Sequence, residues 1–324
     1  MNYSIEQIFI LALGALGLGM VLLYKGGDWT IDGACYIAKK FGISPLVIGF
    51  TIVAFGTSFP ELIVSMNANL AGSPGIAIGN VIGSNIANIL LVIGATAFIS
   101  AITAKPKELL HDILMMVGAT ALMVVLMLYG NITQLSGAIM IVVLLGFILW
   151  QYMMASKGHI EPQETEIPEF KALWQAILIL LLGLVSIALG AELLVRGAKV
   201  SAQIMGVPEG IIGLTIIALG TSLPELSTCI IAALRRQSDL VIGNILGSNV
   251  FNVLMIMGFV SIVKPIEQSA IAPQILSLDI WVMLGVSVLL ALILMLFKKI
   301  NRATGLIFLL GYIFYIGLIY ALSL

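Results

Sequence analysis

A single glutamate stands inside each of two long apolar runs, Gly49-Phe-Thr-Ile-Val-Ala-Phe-Gly-Thr-Ser-Phe-Pro-Glu61 and Gly213-Leu-Thr-Ile-Ile-Ala-Leu-Gly-Thr-Ser-Leu-Pro-Glu225. A carboxylate at bilayer depth costs roughly 2.5–3.5 kcal/mol on insertion scales. Two in matching contexts call for one compensation, and a cation bound between them is the simplest. Read as a helix, Ala54, Thr57, Ser58 and Glu61 fall at i, i+3, i+4 and i+7 on one face, as do Ala218, Thr221, Ser222 and Glu225. Pro60 lacks an N–H, so the carbonyl four residues back, at Gly56, loses its helical partner; Pro224 and Gly220 repeat this arrangement. Hydroxyl, carboxylate and freed carbonyl oxygens then lie within a turn of one another. Na⁺ and Ca²⁺ take such oxygens, Ca²⁺ about six to eight at once. The competing reading is a pair of kinked packing helices whose glutamates are buried and protonated.

Composition places those runs in a membrane. Sixty per cent of the 324 residues are hydrophobic and 10% charged, against roughly 25% charged in a soluble domain, and mean hydropathy is +1.16. The length accommodates about ten spans of some 20 residues with short loops and leaves no room for a sizeable soluble domain. The lipid bilayer is the expected surrounding, for a monomer or weak homo-oligomer. A net charge of −1 offers no field to attract nucleic acid. Cys35 and Cys229 have no metal-ligand spacing, and Cys229 falls inside an apolar run, so no structural disulfide is expected. No cleavable signal is evident at the N-terminus.

Spans are expected near 6–24, 44–69, 74–100, 109–129 and 134–155, then near 172–195, 208–233, 239–263, 276–297 and 303–323. The halves repeat at an offset of 164. Gly42–Glu61 matches Gly206–Glu225 at eleven of twenty positions, and Gly79–Gly94 matches Gly243–Gly258 at eight of sixteen. The fold expected is therefore an all-α membrane protein of ten transmembrane helices in two five-helix repeats, 1–155 and 172–324, joined by a polar linker at 156–171. Five is odd, so the second repeat enters the membrane from the opposite side and the repeats are inverted. Lys25, Lys39, Lys40, Lys105, Lys107, Lys157, Lys171, Arg235, Arg236, Lys298, Lys299 and Arg302 fall on one side of this arrangement. Only Arg196, Lys199 and Lys264 fall on the other. The basic side is cytoplasmic; it holds the linker, and both termini lie outside. Inverted repeats with interrupted helices in corresponding positions are a plan of secondary transporters, with the site near the midplane.

The helix after each glutamate carries Gly79-Asn-Val-Ile-Gly-Ser-Asn-Ile-Ala-Asn88 or Gly243-Asn-Ile-Leu-Gly-Ser-Asn-Val-Phe-Asn252. Ser84 with Asn88, and Ser248 with Asn252, are i, i+4 pairs able to face the glutamates. The alternative is that they only cement helix contacts, beside glycines that allow close approach. Asp28 and Glu192 are expected at solvated helix ends. Asp112 and Asp279 are expected as acids at helix N-termini. His111 and His159 stand alone. Trp29, Trp150, Trp174 and Trp281 lie near span ends, as an aromatic belt does.

The paired GTSxPE segments, each followed by GNxxGSNxxN, resemble the alpha repeats (49–88 and 213–252 here) of the sodium/calcium exchangers, in the cation/calcium antiporter superfamily of prokaryotic type. The resemblance covers essentially the whole chain. It implies that Glu61 and Glu225 are central carboxylates shared by Ca²⁺ and Na⁺, and that Thr57 and Thr221 help coordinate Ca²⁺, chiefly through backbone carbonyls. Ala54 and Ala218 would offer carbonyls to flanking Na⁺ sites, joined by Ser58, Ser84, Ser222 and Ser248. Asn88 and Asn252 would complete the middle. The first and sixth helices would slide against the rest to give alternating access. Asparagine at 252, where some relatives including potassium-dependent exchangers have aspartate, argues against potassium coupling. The proton-coupled branch usually reads GN ahead of the acid, so Thr57-Ser58 favours sodium. The large cytoplasmic regulatory domain of animal exchangers has no counterpart here.

The expected activity is thus exchange of Ca²⁺ for Na⁺ across a prokaryotic inner membrane, with the ions as cargo and no cofactor. Two carboxylates carry a charge one Ca²⁺ can neutralise, or two to three Na⁺, so the loads compete for shared oxygens. The nearest rival is the same fold exchanging Ca²⁺ or another divalent cation for H⁺. A cation channel is opposed by the inverted duplication and the lack of a filter segment. An intramembrane protease is opposed by the lack of a YD/GxGD pair or of a GxSG serine with a histidine in a span, so no enzyme activity is expected.

Overall fold

Hydrocarbon offers backbone N–H and C=O groups no partner, so apolar runs of this length satisfy them internally, as helices. The computed structural model describes residues 5–155, 170–206 and 220–323. In chain order the helices are α1 (Ile5–Phe41), α2 (Pro45–Thr57), α3 (Phe59–Leu70), α4 (Pro74–Ile99), α5 (Pro106–Tyr129) and α6 (Gln134–Ala155). They continue with α7 (Leu173–Ile204), α8 (Leu223–Leu234), α9 (Ser238–Val263), α10 (Ile275–Phe297) and α11 (Arg302–Ser323). Among the described residues eight helices are long and apolar enough to cross a membrane, and the bent pair α2–α3 makes nine if counted as one span. The helix α8 has 12 residues; most of the span expected at 208–233 before it lies outside the described residues, as does most of the linker.

Two spans run much further than expected. The first, anticipated at 6–24, continues unbroken to Phe41, and the sixth, anticipated at 172–195, reaches Ile204. Thirty-seven residues make a helix about 55 Å long, well beyond a hydrocarbon core of about 30 Å. The missing side chains of Gly26 and Gly27, beyond the expected end of the span, let α1 lie directly on its neighbours. A β-carbon on Gly19 would sit 2.8 Å from the carbonyl oxygen of Gly190, one on Gly26 2.8 Å from Gly183, and one on Gly33 2.7 Å from Ala176. One on Gly197 would sit 2.7 Å from the carbonyl oxygen of Ala12. As numbers rise along α1 they fall along α7, so the two helices are antiparallel, backbone against backbone.

Turn chemistry recurs at the same offset. Gly42 ends α1 with φ +64° and Gly206 ends α7 with φ +77°. Gly72 after α3 has φ +82°, and its counterpart after α8 is Arg236, at φ +58°. Around the two, Ser73 N donates to Ala68 O and Gln237 N to Ala232 O, at 2.9 and 2.8 Å.

The outer helices of each half are exchanged. Gly94 of α4 packs on Gly305 of α11, while Gly258 of α9 packs on Gly137 of α6. Two short backbone joints follow the same crossing. Strand β1 (Ile102–Thr103), after α4, pairs antiparallel with β2 (Lys299–Ile300), between α10 and α11. Ile266, after α9, pairs with Ile132, between α5 and α6. At the centre lie α9 and α4, with 89% and 72% of their most apolar stretches buried, against 17% in α1.

Several charges sit elsewhere than expected. Asp28 is inside α1, where Arg235 donates to both Asp28 and Asp32, one turn apart. Glu192 is within α7, exposed as anticipated, and pairs with Arg196. Asp112 and Asp279 are buried rather than first-turn acids: Gln151 Nε2 donates to Asp112 at 2.5 Å and Tyr315 Oη to Asp279 at 3.0 Å. Cys35 and Cys229 are free and buried.

Candidate cation site

Ser58 breaks the helix at the glutamate. It has φ −84° and ψ 2°, between α2 and α3, which bend by 43° there. Ser222 holds the same conformation, φ −89° and ψ 1°, ahead of α8. These angles fall in the sparsely allowed bridge region. Pro60 and Pro224 each occupy the second residue of the helix that follows, where a missing N–H deprives no intrahelical acceptor. Glu61 and Glu225 therefore lie in the first turn of a new helix. They are 1% and 0% exposed.

The two halves interlock at these residues. Ser58 Oγ donates to Glu225 Oε1 at 3.3 Å, and Ser248 Oγ donates to the same oxygen at 3.5 Å. Thr57 Oγ1 donates to Asn244 Oδ1 at 3.3 Å and lies 3.5 Å from Ser248 Oγ. It also reaches the carbonyl of Ala54, a fully buried residue, at 3.4 Å. α2 approaches α9 closely enough for this because Gly243 and Gly247 leave room: a β-carbon at either would be 2.2 Å from the carbonyl oxygen of Leu46 or Phe50. Asn80 Nδ2 donates to Ser65 Oγ at 2.9 Å and to Glu61 O at 3.3 Å, while its counterpart Asn244 donates to Cys229 Sγ at 3.4 Å.

The chemistry of the cluster is one-sided. Buried side-chain oxygens without a hydrogen-bond partner include Glu61 Oε2, Glu225 Oε2, Ser84 Oγ, Ser222 Oγ, Asn88 Oδ1 and Asn252 Oδ1. Each belongs to a residue singled out by its sequence pattern. Among the described residues neither glutamate is ion-paired with Lys, Arg or His. An unpaired buried polar atom costs about 1–3 kcal/mol, a charged one more, and carboxylate, amide and hydroxyl oxygens are the ligand types that hard cations take. Thr221 is half-buried beside Ser222. Ala218 lies outside the described residues.

Sequence reasoning singled out the serine and last asparagine of each GNxxGSNxxN segment and passed over Asn80, Asn85, Asn244 and Asn249. The spacing contained Asn80 and Asn244 but not Asn85 and Asn249: Asn80, Ser84 and Asn88 stand at i, i+4 and i+8, as do Asn244, Ser248 and Asn252. π-helical turns at Gly49–Val53, Asn88–Ile93 and Phe251–Ile256 were not legible. Such turns concentrate at functional sites, and these flank the cluster.

Membrane-crossing helices around a buried, acidic, oxygen-rich centre define an integral membrane protein of the ion-transport class. The profile of the sodium/calcium exchanger protein family matches residues 11–153 and 175–321. The putative antiporter CaxA of Alkalimonas amylolytica is 38% identical over 98% of this chain and 99% of its own length. The sodium/calcium exchanger MaX1 of Methanosarcina acetivorans is 29% identical over 94% and 97%. The solved sodium-calcium exchanger NCX_Mj, soaked with 10 mM Na⁺ and 10 mM Sr²⁺, superposes with a TM-score of 0.80 at 33% identity, covering 95% of this chain and 98% of that one. The chain belongs to the sodium/calcium exchanger family, whose members are cation antiporters.

Proposed function

We propose that this protein exchanges Ca²⁺ for Na⁺ by alternating access, with Glu61 and Glu225 as the carboxylates both ions share. The observation that carries the reading is the set of unpartnered oxygens at positions 164 apart: Glu61 with Glu225 and Asn88 with Asn252. Ser58, Ser84, Ser222 and Ser248 add hydroxyls; Ala54, Thr57, Ala218 and Thr221 add backbone carbonyls. One Ca²⁺ or a few Na⁺ neutralise the pair, so occupation by one excludes the other. Carrying two uncompensated carboxylates through a conformational change is costly in a low-dielectric interior, which favours movement of the loaded form over the empty one.

The architecture proposed with it is ten spans in two inverted five-helix units, 1–155 and 172–324, joined by a cytoplasmic linker at 156–171, with both termini outside a prokaryotic inner membrane. The antiparallel contact of α1 with α7, and the crossed joints of Gly94 with Gly305 and Gly258 with Gly137, support this arrangement. The distribution of lysine and arginine supports its orientation.

The test is ⁴⁵Ca²⁺ uptake by proteoliposomes loaded with Na⁺ and diluted into Na⁺-free buffer, with pH clamped. Uptake that collapses when internal Na⁺ is replaced by choline is expected. Uptake indifferent to Na⁺ but driven by a pH gradient assigns the coupling ion as H⁺ instead. Glu61→Gln and Glu225→Gln abolish transport while the protein still reaches the membrane; transport retained in both overturns the site.

A further inference from the structure

The helices α4 and α9 meet through four asparagines joined in a crossed pattern. Asn88 Nδ2 donates to Asn249 Oδ1 at 3.1 Å, and Asn252 Nδ2 donates to Asn85 Oδ1 at 3.0 Å. These bonds are equivalents of one another, since 88 and 252, and 85 and 249, are each 164 apart. The amino ends of the second pair are committed elsewhere. Asn85 Nδ2 donates to the backbone carbonyl of Asn249 at 3.3 Å and to Met283 Sδ at 3.7 Å, and Asn249 Nδ2 donates to Met116 Sδ at 3.7 Å. A carbonyl oxygen and a thioether sulfur only accept. They fix which way the amides of Asn85 and Asn249 point, and so leave Oδ1 of each for the opposite half's asparagine.

An amide is planar, with its donor and acceptor at opposite ends. Holding Asn88 and Asn252 by Nδ2 fixes the direction of Oδ1 in each, and both of those oxygens are buried without a partner. We propose that Asn85 and Asn249 are positioning residues for the cation site: each holds an asparagine of the opposite half so that its carbonyl oxygen is presented to the ion. The inference rests on the exchange reading above, which supplies the ion. A partner one shell out typically contributes about 10–100-fold to metal affinity by orienting its ligand. Plain helix cement has no reason to couple residue 85 to residue 252 in ion binding rather than to residue 88 on its own helix.

The test is equilibrium ⁴⁵Ca²⁺ binding to the purified full-length protein in detergent, with ion-free melting recorded for every variant. Asn85→Leu and Asn252→Ala are each expected to weaken binding about tenfold, and the double variant no further, because both lose the same ligand. Asn85→Leu combined with Asn88→Ala is expected to weaken binding well beyond either single variant, toward about a hundredfold, because two different ligands are lost; the contact both make with Asn249 couples them less than 85 is coupled to 252. Asn249 mirrors this, coupling to Asn88 and adding to Asn252. Asn85→Asp, which keeps the acceptor for Asn252, restores most of the binding lost in the leucine variant, and Asn85→Ala, which removes that acceptor, carries the same cycle if the leucine variant does not fold. Multiplicative loss for 85 with 252, or coupling of 85 to 88 instead, overturns the proposal. The exchange reading fails separately: Ca²⁺ binding that survives in Glu61→Gln and Glu225→Gln removes the ion site itself. Loss there without coupling between 85 and 252 removes only the positioning role.

Discussion

Ser58 and Glu225 lie 167 residues apart in sequence, yet the serine hydroxyl donates to the carboxylate at 3.3 Å. The donor stands at the helix break of one half and the acceptor in the first turn after the break of the other. Removing that hydroxyl takes away a donor to the carboxylate and a candidate ligand together. Ser58→Ala is expected to raise the Na⁺ concentration for half-maximal Ca²⁺ release about tenfold, with melting temperature in the absence of ions little changed. An unchanged Na⁺ dependence would mean that Ser58 serves only the backbone turn.

The contact between α1 and α7 predicts which glycines tolerate a methyl group. A β-carbon on Gly26 meets backbone at 2.8 Å and one on Gly183 meets backbone at 2.6 Å, whereas Gly14 on α1 has nothing within 4 Å. Backbone cannot swing aside, so Gly26→Ala and Gly183→Ala are expected to destabilise by about 1–3 kcal/mol. Gly14→Ala is expected to be neutral or to stabilise by about 0.5–1 kcal/mol through helix propensity. Melting of the three variants side by side decides; equal behaviour refutes the contact.

Arg235 bridges Asp28 and Asp32 and so fastens the end of α8 to α1. All three side chains are partly buried, at 33%, 25% and 19% exposed. Arg235→Ala is expected to cost about 2 kcal/mol, as loss of hydrogen bonds to charged groups does. Adding Asp28→Asn and Asp32→Asn to that variant is expected to recover part of the loss, by removing the repulsion between the stranded acids. If the triple variant is less stable than Arg235→Ala, the acids are held by something other than the arginine.

Arg236 occupies a left-handed backbone position, φ +58°, where the other half has Gly72. A side chain there carries a strain of roughly 1–2 kcal/mol, so Arg236→Gly is expected to raise the melting temperature. No gain would show that the arginine side chain offsets the strain by contacts of its own.

Much of this molecule was legible because its determinants are local or repeated. Apolar run lengths located seven spans to within three residues, and the offset of 164 marked Glu61, Glu225, Asn88 and Asn252 before any geometry was known. What the sequence concealed depends on partners far along the chain. The first span was expected to stop near residue 24; the close contacts of Gly26 with Gly183 and of Gly27 with Ile231 show why the helix runs on. Asp28 looked solvated because its arginine is 207 residues away. Asp112 looked like a helix-start acid because Gln151 is on another helix. The inner asparagines were passed over because their role is to one another, and no single segment displays it.

The exchange of outer helices has a consequence for how the protein is made. Gly94 waits for Gly305, and the strand at Ile102 for its partner at Ile300. At synthesis rates of about 5–20 residues per second, the early helices stand in the bilayer for roughly ten seconds or more before the chain that completes them emerges. During that interval a groove meant for α11 is lined by lipid, and the first glutamate has no second half to close over it. Assembly is thus governed by the last helix to leave the ribosome, and a chain that stops short of it leaves both halves unfinished.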